Sequence, residues 1–330
     1  MKKRLVIIWN ISSLTRVFRA ELFEELVKTY SVWLIAQFTP ADLNFFTSMG
    51  VKCIDLPIDR RVKNPLKDVV LLMGYFRYIR AIQPDLVLTF TIKPNIYAGL
   101  VCRWLKIKYI ATVEGLGTIF NIDTSFLNYC IQRLYGFGIR KAEAVFYLND
   151  YIQEVLLKLG VKESKLRYTP GMGVNLNKFT PQLYPSEHPF RILTIGRIMT
   201  EKGIGEVLAA SDELIKQIPD LEWHICGAPE KGEEHWLKEM AKRPWIKYHG
   251  LVTDPRPLYA TTTYHEGLST VCIESLACGR PVLGTAIHGV KEIIKDCVNG
   301  YLIEPHNVHD VVNVILKFYL LPHLEKESYG

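Results

Sequence analysis

HEGLSTVCIESLACGRPVLGT, residues 265–285, packs a turn, a helix and a strand into one short run. Glu266 reads as a turn residue beside Gly267. Ser269 and Thr270 are residue types that cap helix starts, and Val271 to Cys278 reads as a short helix. Gly279 suits its end and Pro281 forbids its continuation. PVLGT then reads as a buried strand. The spacing predicts two carboxylates at the mouth of a sheet: Glu266 in a loop and Glu274 in the first helical turn.

Outward from this run the chain alternates apolar strands with longer helical patterns. RLVIIWN, SVWLIA, KCIDLP, DLVLTF, KYIATV and AVFYLN are the strands of a first series, with RAELFEELVKTY and NPLKDVVLLMGYFRYIRAI among the helices. Such alternation is the signature of βαβ units and a parallel sheet covered on both faces. The series pauses at GVNLNKFTPQLYPSEHPF, which places a linker near residues 179–189. It restarts with FRILTIG, LEWHICG, IKYHGLV and GYLIEP as strands and VHDVVNVILKFYL as a last helix. The expected fold is therefore α/β, with two doubly wound Rossmann-like domains, 1–180 and 190–330, facing a central cleft. Ligands of such sheets bind beyond the carboxyl ends of the strands. One stretch does not fit. TDPRPLYATTTYHEG has no apolar run for the strand expected before the HEG turn. Either TTTY is a poor strand or residues are absent between about Ala260 and Thr262, and the second is the expectation. Residues are expected beyond Gly330 too.

Composition narrows the class. The chain has 330 residues, 48% hydrophobic and 22% charged, as globular domains do. No apolar run reaches the roughly 18 residues that cross a bilayer. MKKRLVIIWN imitates a signal peptide, but its apolar stretch is short and no cleavage site follows, so it reads as a buried strand. Seven cysteines without C-x-x-C pairs suit free thiols in a reducing cytosol. The net charge of +6 is concentrated in the first third, where Lys2, Lys3, Arg4, Arg60, Arg61, Lys63, Lys67, Arg77 and Arg80 have few acidic neighbours. That half suits an anionic lipid, a nucleic acid or a phosphorylated substrate.

LTIGRIMTEKGIGEVL, residues 193–208, carries the clearest chemistry. A strand ends at Gly196, and Arg197 and Lys202 flank the turn into a helix. Gly203 and Gly205 permit close backbone approach. Two cations beside a helix N-terminus form an anion site, and a diphosphate is its natural guest. No Asp-x-Asp pair and no P-loop occur, so metal-held phosphates are not indicated. If a diphosphate departs, Arg197 and Lys202 supply the stabilising charge. Glu274 is then placed for a ribose diol and Glu266 for sugar hydroxyls. The backbone N–H groups of Gly267, Leu268, Ser269 and Thr270 would meet the diphosphate. The base would lie near Gly227 and residues 249–251.

EGLSTVCIESLACGRPVLGT, GRIMTEKGI and VNGYLIEP together resemble the retaining glycosyltransferases of the group 1 type, family 4, with the GT-B fold. The Glu-x7-Glu spacing and the Gly-Arg…Glu-Lys-Gly turn carry the likeness across the second domain. TVEGLGTIFNID, residues 112–123, and GMGVNLNKFTP, residues 171–181, are similar to bacterial enzymes that add an N-acetylhexosamine to an undecaprenyl-diphosphate-linked sugar. The resemblance implies a UDP-sugar donor, with GalNAc or GlcNAc as the sugar. It also implies a lipid-linked acceptor and a peripheral place on the cytoplasmic face of the membrane, in the synthesis of glycan, O-antigen or capsule. No cofactor or metal is implied. Retention by a front-face route needs no dedicated base. Family members hold phosphate on a glycine-rich first loop. Here NISSLTRVFR has no Gly-Gly, which leaves Ser12 and Ser13 to serve. Lys93, after a strand, and Glu114 are further candidates for the acceptor.

The membrane partner has a physical basis as well. In NPLKDVVLLMGYFRYIRAI, Leu66, Val69, Val70, Met73, Phe76 and Ile79 recur at helical spacing, with Lys67, Arg77 and Arg80 off that stripe. FLNYCIQRLYGFGIRK, residues 126–141, has a similar mixture. Competing classes are a UDP-sugar epimerase of the same fold and a dinucleotide oxidoreductase, for which Gly-x-Gly-x-x-Gly is missing. A non-catalytic polyanion-binding module is the third, and it leaves Glu266 and Glu274 without a task. No nucleic-acid partner is expected.

Overall fold

The computed structural model describes residues 2–58, 65–116, 120, 126–185, 188–252, 254–261, 264–267 and 269–329. Contacts divide the chain into two units, Met1–Met172 and Gly173–Gly330. In the first unit, β1 (Arg4–Ile11) runs directly into α1 (Ser12–Thr29). Then come β2 (Ser31–Gln37), α2 (Pro40–Ser48), β3 (Lys52–Asp55), α3 (Pro65–Ile82) and β4 (Leu86–Phe90). The unit closes with α4 (Ile92–Leu105), β5 (Tyr109–Val113), α5 (Phe126–Ile139), β6 (Ala144–Tyr147), α6 (Asp150–Lys158) and β7 (Leu166–Tyr168). All seven strands are parallel, in the order β3-β2-β1-β4-β5-β6-β7.

The central strand explains the continuous apolar run at the start of the sequence. A parallel strand covered on both faces buries successive residues, not alternate ones. Leu5, Ile7 and Trp9 pack with Phe23 and Phe46 of α1 and α2. Val6 and Ile8 join the opposite core with Tyr75, Ile79, Ile96 and Tyr135 of α3, α4 and α5. Helices α4 and α5 cross closely, because a Cβ on Gly99 would stand 2.5 Å from the Gly138 carbonyl oxygen.

In the second unit, β8 (Arg191–Ile195), α7 (Ile204–Leu214), β9 (Glu222–Cys226), α8 (His235–Ala241) and β10 (Ile246–Gly250) come first. They are followed by α9 (Arg256–Thr261), β11 (Tyr264–Gly267), α10 (Ser269–Ala277) and β12 (Val282–Thr285). The last elements are β13 (Gly300–Ile303), α11 (Val308–Tyr319) and α12 (His323–Glu327). Six parallel strands are ordered β10-β9-β8-β11-β12-β13. Val311, Val312, Ile315 and Phe318 of α11 share a core with Val207, Leu208 and Leu214 of α7.

Four expectations change. The strand before α10 is Tyr264–Gly267 itself, so Glu266 lies in β11 and not in a loop. It pairs with Thr194 of β8 and Leu283 of β12. The physical reason is the ladder: the buried backbone groups of β8 and β12 need partners, and polar Tyr264–Gly267 supplies them. Helix α10 begins at Ser269, so Ser269 and Thr270 are helical residues, and Glu274 falls in the second turn. The segment taken as a linker is fastened to the second unit. Gln182 N–H donates to the Cys278 carbonyl at 3.2 Å, and the Phe179 ring meets Tyr259 edge-on at 6.2 Å. Finally, α3 has two apolar stripes. Leu71, Tyr75, Ile79 and Ile82 face the core, whereas Leu66, Val69, Val70 and Met73 are exposed.

Candidate active site

Strand order reverses between β8 and β11, where the chain passes from leftward to rightward crossovers. At such a switch point the loops leaving adjacent strands diverge to opposite faces and open a crevice. Gly267 pairs with Ile195, so β11 and β8 end side by side. The N-terminus of α10 and the Gly196–Lys202 turn therefore leave the same edge of the sheet together. The first turn of α10 has backbone N–H groups without intrahelical acceptors, and its dipole favours an anion.

The β8 turn is shaped by glycine. A Cβ on Gly196 would meet nothing within 4 Å, whereas one on Gly227 would stand 1.7 Å from the Gly196 carbonyl oxygen. Gly227 also has a φ of 144°, and its N–H donates to the Gly250 carbonyl at 2.7 Å. This close approach holds the turn after β8 against the turn after β9. Residues Thr200–Lys202 form one 3₁₀ turn, and Gly203, at φ 77°, redirects the chain into α7.

Arg197 is close enough to act electrostatically on Lys202, but it is not an isolated cation. Its Nη1 donates to Glu230 Oε2 at 2.9 Å. Lys202 is exposed, yet the protein around it removes part of its solvation. That loss and the nearby positive Arg197 lower its pKa below the usual lysine value. The charge of an incoming anion would favour the protonated lysine and counteract both effects.

Glu274 is half-buried on α10, and Tyr259 of α9 donates its hydroxyl to Glu274 Oε2 at 3.0 Å. Burial raises the carboxyl pKa above its ordinary value, and the tyrosine bond offsets part of that rise. Tyr259 is fully buried. Its backbone carbonyl accepts from Arg280 Nε at 3.0 Å, and Arg280 also donates to the carbonyls of Gln182 at 3.1 Å and Leu183 at 2.7 Å. Sequence motifs single out neither Tyr259 nor Arg280. Their signal was a buried-type tyrosine ahead of the motif and an arginine inside an apolar run. Leu268 lies outside the described residues, as do residues 117–119 and 121–125 of the TVEGLGTIFNID stretch.

The first unit has its own switch point, between β1 and β4. Ser12 and Ser13 open α1 there. Ser12 is fully buried and its hydroxyl donates to Asp42 Oδ2 at 3.0 Å, so it fastens α1 to α2. Lys93 pairs with Asp68 of α3 at 2.7 Å. Glu114, just past β5, accepts from Arg19 Nη2 at 2.7 Å. Burial outweighs that partner and raises the Glu114 carboxyl. Arg19 lies over the stacked rings of Trp9 and Phe90, and no motif identifies it. Among the described residues, the buried Arg19 Nε and Asn10 Oδ1 have no hydrogen-bond partner. They stand on β1 and α1, which meet at the carboxyl edge of the sheet.

A family model described as glycosyl transferases group 1 matches residues 177–328, and one described as glycosyltransferase family 4 matches residues 17–177. This chain is a family 4, group 1 glycosyltransferase. It is 25% identical over 290 residues to the N,N'-diacetylbacillosaminyl-diphospho-undecaprenol alpha-1,3-N-acetylgalactosaminyltransferase of Campylobacter jejuni, covering 80% of this chain and 75% of that one. A D-inositol 3-phosphate glycosyltransferase of Thermobifida fusca is 27% identical over 194 residues, covering 51% of this chain and 44% of that one. Among solved structures, Anabaena HepE in complex with UDP and glucose superposes with a TM-score of 0.78 at 14% identity, covering 98% of this glycosyltransferase and 92% of that chain. At that identity the likeness establishes the GT-B fold alone. A UDP-N-acetylglucosamine 2-epimerase has the same architecture, with a TM-score of 0.68 at 15% identity and coverage of 100% and 92%.

Proposed function

We propose that this glycosyltransferase transfers an N-acetylhexosamine, GalNAc or GlcNAc, from a UDP-sugar to a polyprenyl-diphosphate-linked saccharide, with retention, at the inner face of an anionic membrane. The pairing of Gly267 with Ile195 carries the reading, because it sets the cationic β8 turn beside the α10 N-terminus at the switch point. The Campylobacter relative's name, an undecaprenol-linked acceptor with N-acetylgalactosamine transferred, supports the substrate classes. The UDP in HepE supports the donor.

In the proposed reaction the diphosphate is bound by the amides of Gly267, Leu268, Ser269 and Thr270, with Gly196 leaving room for it. Arg197 and Lys202 stabilise the charge that develops as the bond from the anomeric carbon to the β-phosphate oxygen breaks. The acceptor oxygen attacks the anomeric carbon on the same face, and its proton passes to the leaving phosphate oxygen. No metal or cofactor is assigned a part. Glu274 accepts from the ribose diol. Glu266 is the residue proposed for the donor sugar, now from the end of β11, and Glu114 with Arg19 for the acceptor. Ser12, Ser13 and Lys93 remain proposals for acceptor phosphate; Ser12 is fully buried against Asp42, and Lys93 is largely enclosed in its pair with Asp68.

A thermal-shift panel of UDP, GDP, ADP and NAD against wild type and Glu274→Ala tests the donor. The expected result is selective stabilisation by UDP that weakens in the variant. No nucleotide shift at all would overturn the reading and favour a polyanion-binding module.

A further inference from the structure

We infer that the outward faces of α3 and α5 form a docking surface for an anionic lipid bilayer. The inference rests on the lipid-linked acceptor proposed above and names the residues that bring the enzyme to it. Helix α3 satisfies the core with Leu71, Tyr75, Ile79 and Ile82, and it leaves a second stripe in solvent. On that stripe Val69, Val70 and Met73 are 56%, 68% and 56% exposed. The first turn of α5 adds Phe126, Leu127 and Tyr129, at 80%, 53% and 57%. Helix α4, between them in the chain, has half of its residues buried and exposes Trp104 near its end. Large apolar groups exposed together along one helix face mark an interaction surface.

Charge selects the partner. Across α3, α4 and α5 the only acidic side chain is Asp68, which Lys93 neutralises. The same helices and their ends carry Lys67, Arg77, Arg80, Arg133 and Arg140. Apolar groups flanked by cations match a layer of anionic headgroups over hydrocarbon. A depression of about 450 Å³ between α5 and the end of α6 has a similar mixture, lined by Leu134, Phe137 and Leu159 together with Arg133 and Arg140. Position agrees as well. Crossover helices run antiparallel to their strands, so the first turns of α3 and α5 lie at the carboxyl edge of the sheet. The Asp68–Lys93 pair ties α3 to the residues just past β4. A saccharide on a membrane-embedded lipid is thereby delivered to the edge where Glu114 and Arg19 stand.

The test is sedimentation of the full chain with phosphatidylcholine vesicles, with and without phosphatidylglycerol, beside a UDP thermal shift on the same samples. Wild type is expected to bind the phosphatidylglycerol vesicles, to release them at high salt, and to bind phosphatidylcholine weakly. Val70→Asp with Met73→Asp, and Phe126→Asp as an independent second site, should each weaken binding by about tenfold or more while keeping the UDP shift. Arg77→Ala with Arg133→Ala should remove the preference for anionic lipid. Equal binding to both vesicle types, or variants that bind like wild type, would overturn the docking face. A UDP shift without vesicle binding would overturn it too, leaving the donor reading intact. Vesicle binding without a UDP shift would uphold the face and overturn the donor reading.

Discussion

Glu274 shows how a residue proposed to bind the donor works against the fold that carries it. Its folded carboxyl has a raised pKa, so the ionised form is disfavoured by burial. A raised carboxyl pKa means that stability falls as pH climbs from the unfolded value through the folded one. Glu274→Gln is therefore expected to raise the thermal midpoint of the ligand-free enzyme at pH 7, yet to weaken UDP binding by about 10- to 100-fold. Calorimetry and titration of the same variant check both signs. Tyr259 contributes by holding the carboxylate and lowering its pKa. Without that donor, in Tyr259→Phe, the pKa rises further. The acid limb of UDP affinity should then begin at a higher pH than in wild type, with a loss of about three- to tenfold at neutral pH. An unmoved acid limb would limit Tyr259 to packing.

At the scale of elements, the site depends on how closely two turns approach. Gly227 brings the β9 turn onto the Gly196 carbonyl, at a φ that L side chains seldom adopt. Gly227→Ala should destabilise the enzyme by roughly 3 kcal/mol, through strain and a backbone shift, and should abolish the UDP shift. Chemical denaturation measures the first and the nucleotide panel the second. Most elements were legible beforehand, because LVIIW, ILTI and VHDVVNVILKFY carry the periodicity of buried strands or of a one-faced helix. Strand β11 was not. Tyr264–Gly267 has no apolar run, and its strand character comes from the neighbours on either side. Helix α3 was half legible. Its spacing showed an apolar stripe, but only packing shows that the core takes Leu71 and Tyr75 and leaves Val69 and Val70 in water.

For the whole molecule, each unit has its own core and its own switch point. The residues proposed for the donor lie in the second unit, and the UDP effect should follow that division. In hydrogen exchange, UDP is expected to slow amides of the 196–205 turn and of α10, leaving those of β1 to β7 unchanged. Broad protection across residues 1–172 would instead place donor contacts in the first unit. Arg280 matters at this scale as well, because its guanidinium binds the carbonyls of Gln182, Leu183 and Tyr259 while fully buried. Arg280→Met leaves those acceptors without their donor, and a loss of about 3 kcal/mol is expected in denaturation.

The sequence by itself determined the alternation of strand and helix, the two Rossmann-like halves, the Glu-x7-Glu motif with its cationic turn, and the basic first third. Each of these is written in local spacing or composition, which survives without knowledge of neighbours. Tertiary structure alone decided that Glu266 belongs to a strand, and that Ser12 is committed to Asp42, Arg197 to Glu230 and Glu274 to Tyr259. Those partners are distant in the chain. Sheet order and register bring them within hydrogen-bond reach, and a buried polar atom takes whichever partner the fold delivers.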